Sequence, residues 1–468
     1  MNLQKAPAHP AIAAQVERAR AAMACLKDAS QARVDEAVTA LAWAIYKPDN
    51  ARELAELAVE DTGLGNVPDK ITKNTRKTFG ALRDMLRAKT VGIIEENPAK
   101  GLVKYAKPVG VVAAVCPSTN PAATPANKAM MAVKGGNAVI IAPSPSGYVT
   151  SARYVELARA ELQKAGFDPD LIQVLVQPVD KAATQSLMEM ADLVVVTGSQ
   201  NNVRRAYSSG TPAIGVGAGN VPVIVDETAD LDDAAKKITA SKCFDNATSC
   251  SSENSVILLD QVYDDAIAAL ERAGGFLVQP ADRERVIGTL WQGGKLNRKV
   301  IARGMDELAE VFGLPEAAAK KFLLIEETGI GDAYPLSGEK LSLVLTVYRA
   351  RDFEHARQLV HDILAHEGMG HSCGIHTKDH ERPRRLAKTL DVVRVLVNQA
   401  HTFGNGGSFD NGLPFTLSMG CGTWAGNSIT ENLNYRNFIN ITHLVTTIPE
   451  DRPSEEALFG GYWEKYGK

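Results

Sequence analysis

Short apolar runs that alternate with helical segments are the feature of this chain that most constrains its fold. The first of these runs occupy residues 110–115, 138–141, 172–176 and 193–196. Because the runs are apolar at nearly every position, both faces of each strand must be covered, as they are in a parallel sheet with helical crossovers. The pattern therefore predicts an α/β fold whose parallel sheet is covered on both faces.

A second set of apolar runs follows residue 250, at residues 256–259, 343–348, 373–376 and 393–397. A length of 468 residues favours two or three domains over one. We expect domain boundaries near residues 227–231, after a strand at 223–225, and near Gly426, where the periodicity ends.

The first hundred residues are predicted to be mainly helical and to form an outer layer. Apolar residues recur at helical spacing over residues 11–26, 30–45 and 49–61. Ser30 and Asp49 stand where N-caps are expected, because their side-chain oxygens can accept hydrogen bonds from the first turn.

Composition excludes several functional classes. The formal net charge of -4 provides no basic surface for nucleic acid or an anionic membrane. No segment approaches the ~20 apolar residues that a membrane-spanning helix needs, so we expect a cytoplasmic protein. The six cysteines form no C-x-x-C pair and no zinc-ligand spacing, and we assign no metal.

Cys250 is the candidate nucleophile of the chain. It stands among small and polar residues, directly before the apolar run 255–259. A thiolate can add to an aldehyde, persist as a thioester after hydride loss and be released by a second attack. The alternative is a structural cysteine in a loop beside a strand, which is the commoner role for such a residue.

Two glycine-rich segments flank this cysteine along the chain, at residues 213–222 and 420–428. Together with Cys250, and in this order, they resemble the aldehyde dehydrogenase superfamily. They are most similar to its CoA-acylating branch, including the aldehyde dehydrogenase half of bifunctional aldehyde-alcohol dehydrogenases. The resemblance extends from about Ile12 to Thr447.

The resemblance implies an aldehyde dehydrogenase-like fold in three parts. Residues 1–229 would form a Rossmann-like NAD-binding domain with an oligomerisation hairpin near residues 104–109. Residues 230–426 would form an α/β catalytic domain. Residues 427–468 would return to the cofactor domain and end in a small oligomerisation element, for which segment 434–448 has the right placement. A homodimer or homotetramer is the expected assembly.

The glycine-rich segment 215–219 is not the sequence pattern that indicates cofactor binding. A dinucleotide fingerprint joins a strand to a helix, whereas residues 220–225 continue as a strand. The better signal is the strand-turn-helix pattern over residues 193–207, whose exposed N–H groups would attract phosphate. Any αβ crossover can contain such a turn. The resemblance strengthens the interpretation of this turn as a cofactor site. It implies these cofactor-binding residues: Thr197, Gly198 and Ser199 at the turn, Pro143 and Ser144 beneath the adenosine, and Glu339 on the nicotinamide ribose. It favours NAD and leaves NADP open.

Asn120 follows the strand at 111–115 and lies between Pro117 and Pro121. An asparagine between prolines commonly stabilises a turn. The resemblance implies instead that its side-chain N–H stabilises the oxyanion formed when the thiolate adds to the carbonyl. The backbone N–H of Cys250 would be the second donor.

Val216 is the position that separates acylation from hydrolysis. Hydrolytic members of the family carry a glutamate at the corresponding place, where it activates the water that cleaves the thioester. Valine cannot act as a base, whereas a CoA thiolate is already a strong nucleophile. Val216 and Gly217 would form part of the tunnel wall. The expected substrates are therefore CoA and a small aldehyde. Hydrolysis by another carboxylate and a catalytically silent scaffold remain the alternatives.

The identity of the aldehyde is open between acetaldehyde, propionaldehyde and sulfoacetaldehyde. The loop at residues 399–408, which contains His401, differs from the version found in acetaldehyde enzymes. It could help to form an anion subsite in the substrate tunnel. The alternative is a solvent-facing, glycine-rich loop.

Overall fold

The structure is a computed structural model that describes residues 9–468. The α-helices of this range are, in chain order, α1 (Pro10–Ala22), α2 (Gln31–Tyr46), α3 (Pro48–Thr62), α4 (Val67–Leu86), α5 (Ala123–Lys134), α6 (Tyr148–Lys164), α7 (Lys181–Met190), α8 (Gln200–Tyr207), α9 (Leu231–Cys243), α10 (Tyr263–Arg272), α11 (Arg283–Leu290), α12 (Met305–Phe312), α13 (Phe353–His366), α14 (Glu381–Thr389), α15 (His401–Asn405) and α16 (Glu455–Tyr466).

The strands in the same range are β1 (Gly92–Asn97), β2 (Leu102–Pro108), β3 (Val111–Val115), β4 (Ala138–Ala142), β5 (Ile172–Val174), β6 (Leu193–Val196), β7 (Ala213–Gly215), β8 (Val221–Val225), β9 (Glu253–Leu259), β10 (Gly275–Leu277), β11 (Trp291–Gln292), β12 (Lys295–Leu296), β13 (Phe322–Glu326), β14 (Val344–Ala350), β15 (Gly370–His376), β16 (Val392–Val397) and β17 (Ile439–Val445).

The first sheet is parallel and has the strand order β5-β4-β3-β6-β7. Every residue of β3 and β4 is buried, as the apolar runs predicted. Helices α1, α2, α5 and α6 contribute apolar side chains to the same core as these strands. The predicted α/β fold with a covered parallel sheet is confirmed.

The second sheet is also parallel, with the strand order β10-β13-β14-β9-β8-β15-β16. Strand β8 belongs to this sheet, although it precedes the predicted domain boundary near residue 229. It pairs with β9 and β15, which lie far from it in the sequence. The second sheet therefore begins about one strand earlier than the sequence indicated.

A small antiparallel sheet joins the hairpin of β1 and β2 to β17 near the C-terminus. The register of β17 runs from Ile439 opposite Pro108 to Val445 opposite Leu102. The predicted hairpin near residues 104–109 is therefore formed, and segment 434–448 supplies its third strand. Most of β17 is exposed.

The N-terminal helices agree only in part with the predictions. Ser30 caps α2 by accepting a hydrogen bond from the Arg33 N–H at 3.3 Å. Asp49 is not an N-cap, because Pro48 already occupies the first helical position, where its fixed φ and missing N–H are well tolerated. Asp49 instead lies in the first turn of α3, where its negative charge interacts favourably with the positive end of the helix dipole.

Helix α4 was missed by the sequence analysis. Its buried face is polar and includes Lys70, Lys73, Asn74, Lys77 and Thr78. Because the buried face of α4 is largely polar, the expectation that a helix buries its apolar residues does not identify this face. Among residues 9–468, no helix has both the length and the apolar character needed to cross a bilayer.

Candidate active site

Cys250 lies in the connection between α9 and β9. Three residues before it have positive φ angles, namely Asp245 (+50°), Asn246 (+51°) and Ala247 (+61°). Such angles are unfavourable for residues other than glycine, although Asp and Asn tolerate them better than most. The turn therefore requires support from its surroundings.

Asp245 provides that support from a fully buried position. Its carboxylate accepts hydrogen bonds from Lys73 Nζ at 2.6 Å and Lys70 Nζ at 3.1 Å. It also accepts from the Asn66 N–H at 2.9 Å and Thr248 Oγ1 at 2.8 Å. Burial alone would raise the pKa of Asp245, but the two ammonium groups hold that pKa below its usual value. The carboxylate thus links α4 to the loop that precedes Cys250.

Lys73 extends this network to Asn120. Its Nζ also donates to Asn120 Oδ1 at 2.7 Å. An ammonium group can only donate, so the contact identifies Oδ1 and leaves the amide Nδ2 pointing elsewhere. Nδ2 has one contact among the described residues, with Thr119 Oγ1 at 3.4 Å. The orientation leaves its N–H groups available to an oxyanion.

The glycine-rich segment 215–219 packs directly against this site. A methyl group on Gly219 would lie 2.1 Å from the Cys250 carbonyl oxygen and 2.6 Å from Cys250 Cβ. One on Gly217 would lie 2.8 Å from Cys421 Sγ. Only glycine permits such an approach. Val216 is buried between them and the first sheet, with its carbonyl accepting from Gln200 Nε2 at 3.2 Å.

The electrostatics around Cys250 disfavour a free thiolate. Burial raises the pKa of the Cys250 thiol to about 12, and the nearby Glu339 carboxylate raises it further than Arg394 lowers it. The thiol is therefore protonated at neutral pH in the protein alone. Activation requires an additional positive charge or a base beside the sulfur.

Glu339 provides a test of whether a cofactor fits. Its Oε1 is buried and has no hydrogen-bond partner within residues 9–468. Burial raises the pKa of Glu339 to about 8, with Glu367 as the second cause. Two ribose hydroxyls would satisfy this orphaned acceptor. The residue therefore fits the predicted role on the nicotinamide ribose.

A cleft of about 1010 Å³ lies at the carboxyl ends of β3 and β4, beside the start of α8. Its lining includes the predicted residues Pro143, Ser144 and Ser199. Ser199 caps α8 by accepting from the Asn202 N–H at 3.4 Å. Four basic side chains also line the cleft: Lys181, Arg204, Arg205 and Arg298. A helix start with basic side chains favours a ligand that carries phosphate.

The other two predicted cofactor residues lie in the turn between β6 and α8. The predicted strand-turn-helix form is present, and Gly198 has a φ of +152°, which glycine adopts readily. Thr197 Oγ1 is hydrogen-bonded to Ser418 Oγ in the C-terminal part of the chain. The turn is thus tied to the segment that also carries Cys421.

His401 lies in a buried network beside β15. Its Nε2 is 2.9 Å from Ser372 Oγ, which is 2.8 Å from His371 Nδ1. Burial lowers the pKa of His401 far below its usual value, so the ring is neutral at pH 7. Most residues at 399–408 are buried, and the alternative of a solvent-facing loop is wrong.

The sequence of this chain matches the aldehyde dehydrogenase family over residues 3–410. The chain belongs to that family. It is 52% identical over 460 residues to a sulfoacetaldehyde dehydrogenase (acylating) of Cupriavidus necator, covering 98% of this chain and 93% of the relative. A sulfoacetaldehyde dehydrogenase (acylating) of Bilophila wadsworthia is 45% identical over 464 residues, covering 98% and 99%.

The comparison with a solved structure also places this aldehyde dehydrogenase beside an acetylating enzyme. The acetylating aldehyde dehydrogenase of Geobacillus thermoglucosidasius superposes with a TM-score of 0.91 at 34% identity, covering 95% of this chain and 98% of the other. The predicted membership in the family and its acylating branch is confirmed, as is the aldehyde dehydrogenase-like fold.

Several site residues of this aldehyde dehydrogenase were missed by sequence reasoning. They are Lys70, Lys73, Asp245 and Thr248, which together position Asn120 and the Cys250 loop. One signal could have found part of this set. Lys70, Lys73 and Lys77 recur at helical spacing, so a charged stripe on one helix face was visible in the sequence.

The first prediction concerns Cys250 as the nucleophile. Cys250→Ser is expected to reduce turnover by several orders of magnitude, because a serine hydroxyl is scarcely ionised at neutral pH. Cofactor affinity, measured by fluorescence titration, should stay within about threefold of the parent, since the cofactor residues are untouched. Near-normal turnover of the serine variant would exclude Cys250 from this role.

The second prediction concerns Asn120 as an oxyanion donor. Asn120→Ala is expected to lower kcat by ~10²- to 10³-fold, the usual loss for one such donor. Steady-state kinetics with a small aldehyde measures the effect. A change confined to KM would assign Asn120 to a turn or to substrate binding.

The third prediction uses Lys73 as a positioning residue. Lys73→Met is expected to lower kcat by about tenfold or more, because the Asn120 amide loses the contact that orients it. In the Asn120→Ala background the same substitution should have little further effect on kcat.

Lys70→Met is the matched control for Lys73→Met. Lys70 also pairs with Asp245, but its other contact is the Thr119 carbonyl rather than the Asn120 side chain. It should destabilise the protein with a smaller loss of kcat. Equal losses of kcat in the two variants would show that Lys73 acts through Asp245 alone.

Proposed function

We propose that this chain oxidises a small aldehyde with NAD(P)⁺ and transfers the acyl group to CoA. The observation that carries the proposal is Val216, a buried apolar residue three positions before Gly219, which packs on Cys250, in the segment where a hydrolytic enzyme would need a base. The printed names of the relatives, acylating and acetylating enzymes, support the same reaction.

In the proposed reaction, Cys250 Sγ bonds to the carbonyl carbon of the aldehyde. Asn120 Nδ2 and the Cys250 backbone N–H donate to the resulting oxyanion. When bound, the nicotinamide supplies the hydride acceptor and a positively charged ring beside the thiol. Loss of hydride from the carbon regenerates the carbonyl, which leaves a thioester on Cys250.

The CoA thiolate then attacks the thioester carbonyl, and the Cys250 thiolate leaves. The products are acyl-CoA, the reduced cofactor and one proton, and the reverse reaction is equally permitted. Lys73 keeps Asn120 oriented through both tetrahedral stages. The basic side chains of the cleft would suit the phosphates of a dinucleotide or of CoA, and they do not distinguish NAD from NADP. The preference for NAD over NADP therefore comes only from the resemblance.

Hydrolysis to a free acid is the second candidate function. Glu339 is the carboxyl that could serve, because its ionised form could accept a proton from water, which requires a pH near or above its pKa of about 8. The orphaned Oε1 weighs against this role, since it fits the ribose hydroxyls of a bound cofactor.

For the aldehyde we propose sulfoacetaldehyde, with acetaldehyde and propionaldehyde as neutral competitors. The relatives from Cupriavidus necator and Bilophila wadsworthia are named for that substrate. The buried cations of α4 favour a substrate that carries a negative charge.

We also propose that the protein is a cytoplasmic homo-oligomer. The exposed face of β17 includes Ile441, Leu444 and Val445, and α16 exposes Leu458, Phe459 and Tyr462. Apolar side chains grouped in this way are typical of an interface. A second copy of the chain would cover them, in keeping with the predicted role of the three-stranded sheet and the tail. Residues 1–229, 230–426 and 427–468 remain the proposed domains.

The fourth prediction separates acylation from hydrolysis. Without CoA, about one equivalent of NAD(P)H per active site should form rapidly, followed by a slow phase, because the thioester on Cys250 has no efficient acceptor. Adding CoA should restore sustained turnover. Stopped-flow absorbance of the reduced cofactor and mass spectrometry of the products measure both effects.

The control for this experiment is desulfo-CoA, which lacks the attacking thiol and should not restore turnover. Free acid formed equally fast with and without CoA would contradict the acylating proposal and establish hydrolysis.

A further inference from the structure

Helix α5 presents buried polar groups that have no partner. Thr124 and Asn127 are 1% and 3% exposed. Thr124 Oγ1 and Asn127 Nδ2 make no hydrogen bond to any residue that the structure describes. Because an unpaired buried polar group is costly, two of them on one helix face call for an explanation.

These two groups lie on the same face as Asn120. The Thr124 N–H donates to the Asn120 carbonyl at 3.3 Å, a helix-type hydrogen bond that places Asn120 directly before α5, which begins at Ala123. Residues separated by four and seven positions share a helix face, and one helical turn advances about 5.4 Å. The unpaired groups therefore begin one turn beyond the proposed oxyanion donor.

Helix α4 adds a buried cation to the same region. Lys77 is 8% exposed, and its Nζ donates to the carbonyls of Gly406 at 2.9 Å and Gly407 at 3.3 Å. An ammonium group has three donors, so one N–H makes no hydrogen bond within residues 9–468, where the Phe415 ring lies 5.4 Å from Nζ. Burial, Arg76 and Lys73 lower the pKa of Lys77 to about 7. No carboxylate in the described range offsets these effects, and a buried ammonium without a counter-charge is costly.

Contacts at both ends join the two helices around this region. At one end, Lys73 Nζ bonds to Asn120 Oδ1. At the other end, Asn127 Oδ1 contacts Thr416 Oγ1 at 3.4 Å, and the Thr416 N–H donates to the Gly406 carbonyl at 3.0 Å. That carbonyl is also the acceptor for Lys77. The loop at residues 399–408 thus closes the region through its glycine carbonyls.

We propose that Lys77, Asn127 and Thr124 form the subsite that binds the sulfonate group of the substrate. This inference rests on the proposed function, since it places the aldehyde carbon between Cys250 and Asn120. In sulfoacetaldehyde a single methylene separates the sulfonate from the carbonyl, a short span that matches the one turn between Asn120 and Thr124, with Asn127 nearly one further turn along α5.

The number of hydrogen-bond donors in the subsite also suits a sulfonate group. The sulfonate has three acceptor oxygens, while the subsite offers one free N–H from Lys77, two from Asn127 and one O–H from Thr124. Its negative charge supplies the counter-charge that Lys77 lacks. A neutral aldehyde would leave all of these donors unpaired, which is the basis of strong discrimination against it.

The test compares sulfoacetaldehyde with propionaldehyde as substrates in the full-length protein with NAD(P)⁺ and CoA. Lys77→Met is expected to lower kcat/KM for sulfoacetaldehyde by ~10- to 100-fold, the usual loss for a charge-assisted hydrogen bond. The isosteric Thr124→Val should lower it by about fivefold or more. For both variants, kcat/KM for propionaldehyde should not fall and is expected to rise, because the substitution removes a donor that the neutral substrate leaves unpaired.

Lys134→Met is the matched control, since Lys134 is a buried lysine like Lys77 but lies at the end of α5 and pairs with Asp35 away from the site. It should leave the ratio of the two kcat/KM values unchanged. Lys77→Arg should restore much of the preference for sulfoacetaldehyde, because it keeps the charge. Equal losses for both aldehydes in Lys77→Met and Thr124→Val, or a parent enzyme with no preference for sulfoacetaldehyde, would overturn the proposal.

A binding measurement separates this inference from the proposed function. Ethanesulfonate, which lacks the aldehyde, should bind the parent protein in calorimetry and bind Lys77→Met and Thr124→Val at least about fivefold more weakly. If ethanesulfonate binds the parent protein more tightly than the two variants but the parent forms no acyl-CoA, the subsite is supported and the proposed acylating function is contradicted. If acyl-CoA is formed but ethanesulfonate binding does not depend on these residues, the subsite is excluded and the function stands.

Discussion

The buried carboxylate of Asp245 is the interaction on which the rest of the site depends. It holds a turn of three residues with unfavourable φ angles, and it does so through two ammonium groups of α4. Removing one partner of such a buried pair typically costs 3–5 kcal/mol, because the other charge is left uncompensated. Lys73 carries the same network to Asn120. The position of the nucleophile and the orientation of the oxyanion donor therefore have a common origin.

The active site also concentrates groups that are unfavourable in the protein alone. The Cys250 thiol has a pKa of about 12, the Glu339 carboxyl one of about 8, and Lys77 is a buried cation without a counter-charge. Each of these costs is relieved by a ligand of the proposed reaction. In the proposed reaction, a positive nicotinamide ring would favour the thiolate, ribose hydroxyls would satisfy Glu339, and a sulfonate would pair with Lys77. The binding energy of the ligands is thus coupled to assembly of the reactive state.

The comparison of sequence and structure shows where prediction succeeds. The strands of the first sheet were predictable because Val111–Val115 and Ala138–Ala142 are apolar at every position and bury both faces. The strand that follows the glycine-rich segment was also predicted, and β8 is present there. Helix α4 was missed because its buried face is made of lysine, asparagine and threonine. Asp49 failed as an N-cap because Pro48 starts the helix one residue earlier than the apolar pattern suggested.

By itself, the sequence determined the fold class and the family, and it predicted Cys250 as the nucleophile and Val216 in place of a base. These features depend on local periodicity, on motifs and on the chemistry of single side chains. Tertiary structure alone decided that Lys73 bonds to Asn120, that β8 belongs to the second sheet, and that Lys77 and Asn127 are linked through Gly406 and Thr416. Each of these depends on contacts between residues far apart in the chain. Such contacts follow from helix packing and strand pairing, which no local pattern encodes.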